Sequence, residues 1–231
     1  MKQPEFIKKL ENSNATKVPE PVSGHTLQLI IGSLGILLPV ILIVGAAVFG
    51  GCELVQNSIS AYYHTVMRNF FVGVLCAVSL GLFAYYGYSS LDNLLANLAG
   101  IFALGVAFFP TSAGAPFTDC INNPVNMGII GTIHYVSATL LFISFAIFSL
   151  FLFTRSGSKM TAEKKLRNKI YKICGYAIII FIVLIAIYAN FLKGKYNSLD
   201  NLRPVFWLEA ASLLAFSFSW LVKSEIILSD K

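Results

Sequence analysis

Residues 27–50 read LQLIIGSLGILLPVILIVGAAVFG, a run of apolar side chains without one charged group. An α-helix needs about 20 such residues to cross the hydrocarbon core of a bilayer. Pro39 lies inside the run, and a membrane helix tolerates it as a kink because neighbouring groups satisfy the freed backbone. This stretch therefore predicts a transmembrane helix near the start of the chain.

Five further apolar stretches follow the first one. Hydrophobic residues make up 56% of the 231-residue chain and charged residues 12%, whereas a soluble protein carries about 25% charged residues. We expect an all-α fold, an integral membrane bundle of six transmembrane helices within residues 27–223, with polar tails at 1–26 and 224–231. The expected spans are 27–50, 70–88, 93–109, 127–153, 170–191 and 205–222.

Lysine and arginine are distributed unevenly between the two sides of this arrangement. Of the 17 such residues, only Arg68, Lys193, Lys195 and Arg203 fall on the side that the first helix reaches. The positive-inside rule then places both termini in the cytoplasm of a multi-pass protein of the inner (plasma) membrane. The net charge of +6 suits anionic lipid headgroups. We therefore expect the lipid bilayer as a partner and no nucleic acid.

Two long polar loops, 51–69 and 111–126, lie on the outer side in this topology. Each contains one cysteine, Cys52 in the first and Cys120 in the second. Thiols on that side meet an oxidising compartment, which favours a disulfide between them. The alternative of two free thiols too far apart to bond stays open, because a sequence carries no distances.

Ionisable side chains in or beside membrane helices are costly and therefore mark function. His134 and Glu209 fall near the outer ends of the fourth and sixth spans, and other polar groups lie at the same level. One alternative is a salt bridge between Glu209 and either Arg68 or His134 that only holds the helices together. The expected ligand site consists of Ser60, Tyr62, His64, Arg68, Asp119, His134 and Glu209.

Three stretches carry a first resemblance: NSISAYYHT at residues 57–65, ALGVAFFPT at 103–111, and the pair WLE and SWLVK at 207–209 and 219–223. Together they resemble a family of bacterial inner-membrane proteins classed as a domain of unknown function. The resemblance covers the chain from about residue 28. It implies an inner-membrane location, and it assigns no activity and no functional residues.

The spacing Ser60-x-x-x-His64 is similar to the Ser/His motif of the ceramidase and progestin-receptor-like membrane hydrolases. Proteins of that family are seven-helix bundles in which three histidines bind a zinc ion, assisted by a serine and an acidic residue. The resemblance implies a zinc site, with His64, His134 and Glu209 as ligands. This sequence departs from the pattern, because its last helix has no histidine pair. Without the resemblance, no cofactor is predicted.

Three functions follow from these observations. The first is the binding of a lipid or small amphiphile at a polar site in the outer leaflet. The second is a membrane-embedded, metal-dependent hydrolase, and the third is a structural or accessory membrane subunit. The sequence favours binding over catalysis, and it leaves open whether the protein is an enzyme.

Overall fold

The computed structural model describes residues 23–52, 55–113, 120, 126–155 and 161–229. Over these ranges the secondary structure is helical, and they contain no β-strand. A 3₁₀ helix, Ser60–His64, lies between the first two helices, and π-turns at Phe148–Leu152 and Tyr188–Leu192 continue the fourth and fifth. The α-helices are α1 Gly24–Gly50, α2 Arg68–Phe83, α3 Ser90–Phe108, α4 Ile129–Ile147, α5 Ala162–Ile187, α6 Asn197–Asn201 and α7 Pro204–Lys223.

Within the described ranges, five helices are long and apolar enough to cross a membrane, namely α1, α3, α7 and, with their π-turns, α4 and α5. α2 is also an apolar helix, but its 16 residues extend only about 24 Å, less than the roughly 30 Å of a hydrocarbon core. The prediction of an all-α chain with several helices suited to a membrane is confirmed. The count of six spans and the cytoplasmic position of both termini stay predictions.

Hydropathy and helix boundaries differ at the turn between α2 and α3. The apolar pattern extends to residue 88, whereas α2 ends at Phe83. Side chains of α3 hold the intervening backbone in a turn: Asp92 Oδ2 accepts from the Tyr88 amide at 2.9 Å, and Asn93 Oδ1 accepts from the Gly87 amide at 2.8 Å. Tyrosines are apolar enough to lengthen the hydropathy pattern, but these acceptors hold residues 87 and 88 in the turn and outside the helix.

The opposite difference occurs in α5, which begins at Ala162, eight residues before the predicted span at 170. Thr161 caps it, and its side chain accepts from the Lys164 amide at 3.1 Å. The first turns are rich in lysine and arginine. They extend the helix beyond the apolar stretch, because hydropathy reports the part of a helix that suits lipid and not its full length.

Contacts place both ends of the described chain together. His25 Nδ1, at the start of α1, is 3.1 Å from the Ser224 carbonyl oxygen after α7. At the same end, Arg155 beyond α4 forms a 2.7 Å salt bridge with the buried Asp92 of α3. We call this the terminal end of the bundle.

At the other end, which we call the loop end, a disulfide joins Cys52 and Cys120 with their Cα atoms 5.5 Å apart. It connects the segment after α1 to the segment between α3 and α4. Gly51 precedes Cys52 in the left-handed conformation, at φ 65°, and thereby ends α1. The polar groups discussed below all lie toward this end.

A cluster of aromatic rings fills the interior of the bundle between the loop end and the terminal end. Trp220 of α7 is fully buried, with ring centroids of Tyr85, Phe148 and Phe153 at 5.3 to 5.5 Å. Phe145 and Phe216 stack at 3.6 Å beside them. Such packing ties α4 and α7 together, so polar groups at the loop end are arranged on a fixed helical frame.

Candidate functional site

Glu209 of α7 holds the segment that precedes α2. Its Oε2 accepts a hydrogen bond from the Ile59 amide at 2.7 Å, and the backbone of Ser60 also hydrogen-bonds this carboxylate. These amides stand at the start of the 3₁₀ helix Ser60–His64, where backbone N–H groups have no helical acceptor. Glu209 therefore serves as an acceptor from a distant element and fixes the position of Ser60.

The two histidines of the loop end both bond the backbone that follows α3. His64 Nε2 is 2.7 Å from the Thr111 carbonyl oxygen, and His134 Nδ1 is 2.7 Å from the Phe109 carbonyl oxygen. His134 is buried, with 2% of its surface exposed. A ring nitrogen that donates to a carbonyl fixes the ring orientation and leaves the second nitrogen for other partners.

A cavity of about 470 Å³ lies between these segments and the loop-end parts of α4, α5 and α7. Its apolar wall comes from helices α4, α5 and α7, with Ala138, Ile185, Ala189 and Val205. Its polar wall comes largely from the connecting segments. The ionisable residues that line the cavity are His134, Tyr135, Tyr188, Lys193, Asp200, Arg203 and Glu209.

Hydrogen bonds organise the polar wall. Asp200 Oδ1 accepts from the Tyr188 hydroxyl at 2.5 Å, and its Oδ2 accepts from the Gly194 amide at 3.0 Å. Arg203 Nη1 donates to Asn57 Oδ1 and so links the connection before α7 to the segment after α1. The wall is therefore preorganised by contacts between elements far apart in sequence.

The structure brings together only part of the predicted site. Ser60, His134 and Glu209 line the cavity. His64 lies behind its wall, bonded to Thr111, which itself lines the cavity. Asp119 lies outside the described residues.

Tyr62 and Arg68 have other surroundings. Tyr62 is 1% exposed and packs against Phe206 with ring centroids 6.1 Å apart. Burial raises the pKa of Tyr62, opposed by a hydrogen bond with the Gln56 backbone, so its phenol stays neutral and serves packing. Arg68 is exposed, donates to the Tyr63 hydroxyl and lies over that ring, 4.3 Å from its centroid. Neither residue lines the cavity.

Sequence reasoning missed the residues of the connection between α5 and α7, namely Lys193, Asp200 and Arg203. The basic residues there served only to assign orientation. One signal was present, because four charged groups, Lys193, Lys195, Asp200 and Arg203, lie between two apolar stretches and fall on the same side as both long loops. Their approach to Ser60 and Glu209 depends on the fold of that connection, which hydropathy does not predict.

A zinc site at His64, His134 and Glu209 needs three side chains directed at one point. Among the described residues, no group of three histidine, cysteine, aspartate or glutamate side chains is placed to hold a metal ion. His134 and Glu209 share the cavity, whereas His64 Nε2 is bonded to a carbonyl oxygen behind it. These three residues do not fit the ion as arranged, so we derive no chemistry through it.

Comparison with protein-family models, with curated proteins and with solved structures finds no match to this chain. The resemblances to the bacterial inner-membrane family and to the ceramidase-like hydrolases therefore stay predictions. The fold and the cavity have to be interpreted from their own chemistry.

Proposed function

We propose that this protein is a multi-pass membrane protein of the inner (plasma) membrane that binds a lipid or small amphiphile in the loop-end cavity, facing the outer leaflet. The division of the cavity into one apolar and one polar wall carries the proposal. Ala138, Ile185 and Ala189 offer surface to an alkyl chain, while the connecting segments offer hydrogen-bonding groups to a head group. The volume of about 470 Å³ suits a small-molecule ligand.

The position of the cavity supports this proposal. Its apolar wall belongs to helices that are long and apolar enough to lie in a bilayer, and its polar wall belongs to the loops and to the adjoining ends of those helices. An amphiphile in a membrane has its chain and head group in that same order. A ligand in the adjacent leaflet would therefore meet both walls without leaving its own environment.

Filling the apolar wall tests the proposal. Ala189→Phe places a ring in the cavity, whereas Ala186→Phe, three residues earlier on exposed surface of α5, leaves it open. Each protein is purified in detergent, and co-purified lipids are extracted and quantified by mass spectrometry. We expect bound lipid in the wild type and in Ala186→Phe and its loss in Ala189→Phe. Equal lipid content in all three would contradict binding in this cavity.

A structural or accessory role is the second candidate, because Glu209, His64 and His134 each bond the backbone of another segment. Such bonds hold the loop end together whether or not a ligand is present. This role predicts that Glu209→Gln and His134→Ala lower thermal stability, while the lipid content of the purified protein stays unchanged. Reduced stability together with lost lipid would instead favour binding.

A further inference from the structure

We propose that the loop-end cavity recognises an anionic group, a phosphate or a carboxylate, through Arg203 and Lys193. The inference rests on the proposed function, since it names the head group of the amphiphile. Arg68, the arginine that the sequence placed in the ligand site, lies outside the cavity against Tyr63, whereas Arg203 lines the cavity.

The acidic residues of the cavity already accept hydrogen bonds from the protein. Asp200 uses one oxygen for the Tyr188 hydroxyl and the other for the Gly194 amide. Glu209 accepts from the backbone of Ile59 and Ser60. Hydrogen bonds of this kind stabilise a carboxylate and occupy its lone pairs. Each of the two acids thus already uses about half of its roughly four acceptor sites on the protein itself.

The basic residues, in contrast, have donors to spare. Arg203 uses one terminal nitrogen on Asn57 Oδ1, and a guanidinium has five N–H donors in total. Lys193 lines the cavity and, within the described ranges, its side chain has no hydrogen bond or ion pair. The carboxylates of this wall already accept hydrogen bonds from the protein, whereas Arg203 and Lys193 retain charged donors. The wall is therefore complementary to an anion.

The backbone at Arg203 supports the same conclusion. Arg203 has φ 54° and ψ 51°, the left-handed conformation, which glycine and asparagine adopt at lower cost. It directly precedes Pro204, the first residue of the 20-residue helix α7, and Pro204 and Val205 also line the cavity. The start of a helix carries a partial positive charge, so Arg203 adds its cation where the backbone already favours an anion.

Calorimetric titration of the protein in an uncharged detergent tests the inference with octyl phosphate, octyltrimethylammonium and inorganic phosphate. Arg203→Gly removes the guanidinium, yet glycine accepts the left-handed backbone, so we expect the fold to be retained. Arg68→Gln is the matched control, because Arg68 lies at the same end outside the cavity. Lys193→Gln, at an exposed position, is a second variant that leaves the core untouched.

We expect octyl phosphate to bind the wild type and Arg68→Gln alike, and to bind Arg203→Gly about tenfold or more weakly, since a charge-assisted hydrogen bond is lost. Lys193→Gln weakens the same binding to a smaller extent. Undiminished binding of octyl phosphate to both Arg203→Gly and Lys193→Gln would overturn the inference.

The three probes separate this inference from the proposed function. Binding of octyltrimethylammonium in preference to octyl phosphate would overturn the anion site and leave the amphiphile proposal standing. Inorganic phosphate that binds as tightly as octyl phosphate, with loss in Arg203→Gly, would support the anion site and contradict an amphiphile. No binding of any probe would overturn both.

Discussion

At the scale of single residues, Glu209 shows how a membrane helix accommodates a carboxylate. An unpaired charge in an apolar helix is costly, yet Glu209 meets backbone amides from the segment after α1. Those amides in turn lack helical acceptors at the start of the 3₁₀ helix. Each side satisfies the other, so the ionisable residue is compatible with a structural role and still lines the cavity.

Replacing Glu209 with glutamine tests this account. The side-chain amide of glutamine has one oxygen acceptor where the carboxylate has two, and its NH2 group cannot accept from the backbone N–H groups of Ile59 and Ser60. We therefore expect a loss of stability of about 1–3 kcal/mol. Reversible unfolding in detergent and denaturant measures the change. Glu163→Gln, in the first turn of α5, is the control and costs at most about 1 kcal/mol. Equal losses in both variants would mean that the Glu209 hydrogen bonds contribute nothing specific.

At the scale of helices, the packing of α3 against α4 depends on a position without a side chain. A Cβ added at Gly105 would lie 2.8 Å from the Cβ of Ser137, closer than real Cβ atoms come. Membrane helices associate through such small residues, because close contact between backbones replaces the hydrophobic effect as the source of attraction. The loop between these helices carries Thr111, part of the cavity wall, so their spacing also positions the site.

Two alanine substitutions isolate this effect. Gly73 of α2 has open space around an added Cβ, so Gly73→Ala raises stability by about 0.5–1 kcal/mol through helix propensity alone. Gly105→Ala gains the same propensity but forces α3 and α4 apart, so we expect a net loss of stability. Thermal unfolding of both variants against the wild type measures the difference. A stabilising Gly105→Ala would contradict close packing at this position.

Helices and site were predictable from the sequence to different extents, and the reason is physical. Lipid demands apolar surface along a whole helix, so 27–50 alone predicted α1 well. The site depends on the backbone conformation of the loops, which determines where their side chains lie, and hydropathy contains no information about that conformation. His64 and His134 were placed at the right level, but the backbone at 109–111 decides where their rings point. Arg203 lies in the connection between α5 and α7, and a hydropathy analysis identifies that connection only as the gap between two apolar stretches.

At the scale of the whole molecule, the disulfide and the cavity lie at one end of the bundle. The start of α1 and the end of α7 lie at the other end. α5 with its π-turn links the two ends, and its 31 residues extend about 46 Å, enough to cross the core and part of both headgroup regions. The predicted orientation therefore has a simple consequence. Residues just after this helix face the outside, and residues in its first turns face the cytoplasm.

Labelling single cysteines in intact bacterial cells tests that orientation. Lys195 and Lys169 are both exposed on either side of the apolar part of α5, so each is replaced by cysteine in turn. We expect a membrane-impermeant maleimide to label Lys195→Cys directly and Lys169→Cys only after the membrane is permeabilised. The unsubstituted chain is the background control, because Cys52 and Cys120 are bonded, Cys174 is buried, and any label at the free, partly buried Cys76 of α2 is present in all three proteins alike. The reverse labelling pattern would place both termini outside and the cavity at the cytoplasmic face, where a ligand of the outer leaflet has no access to it.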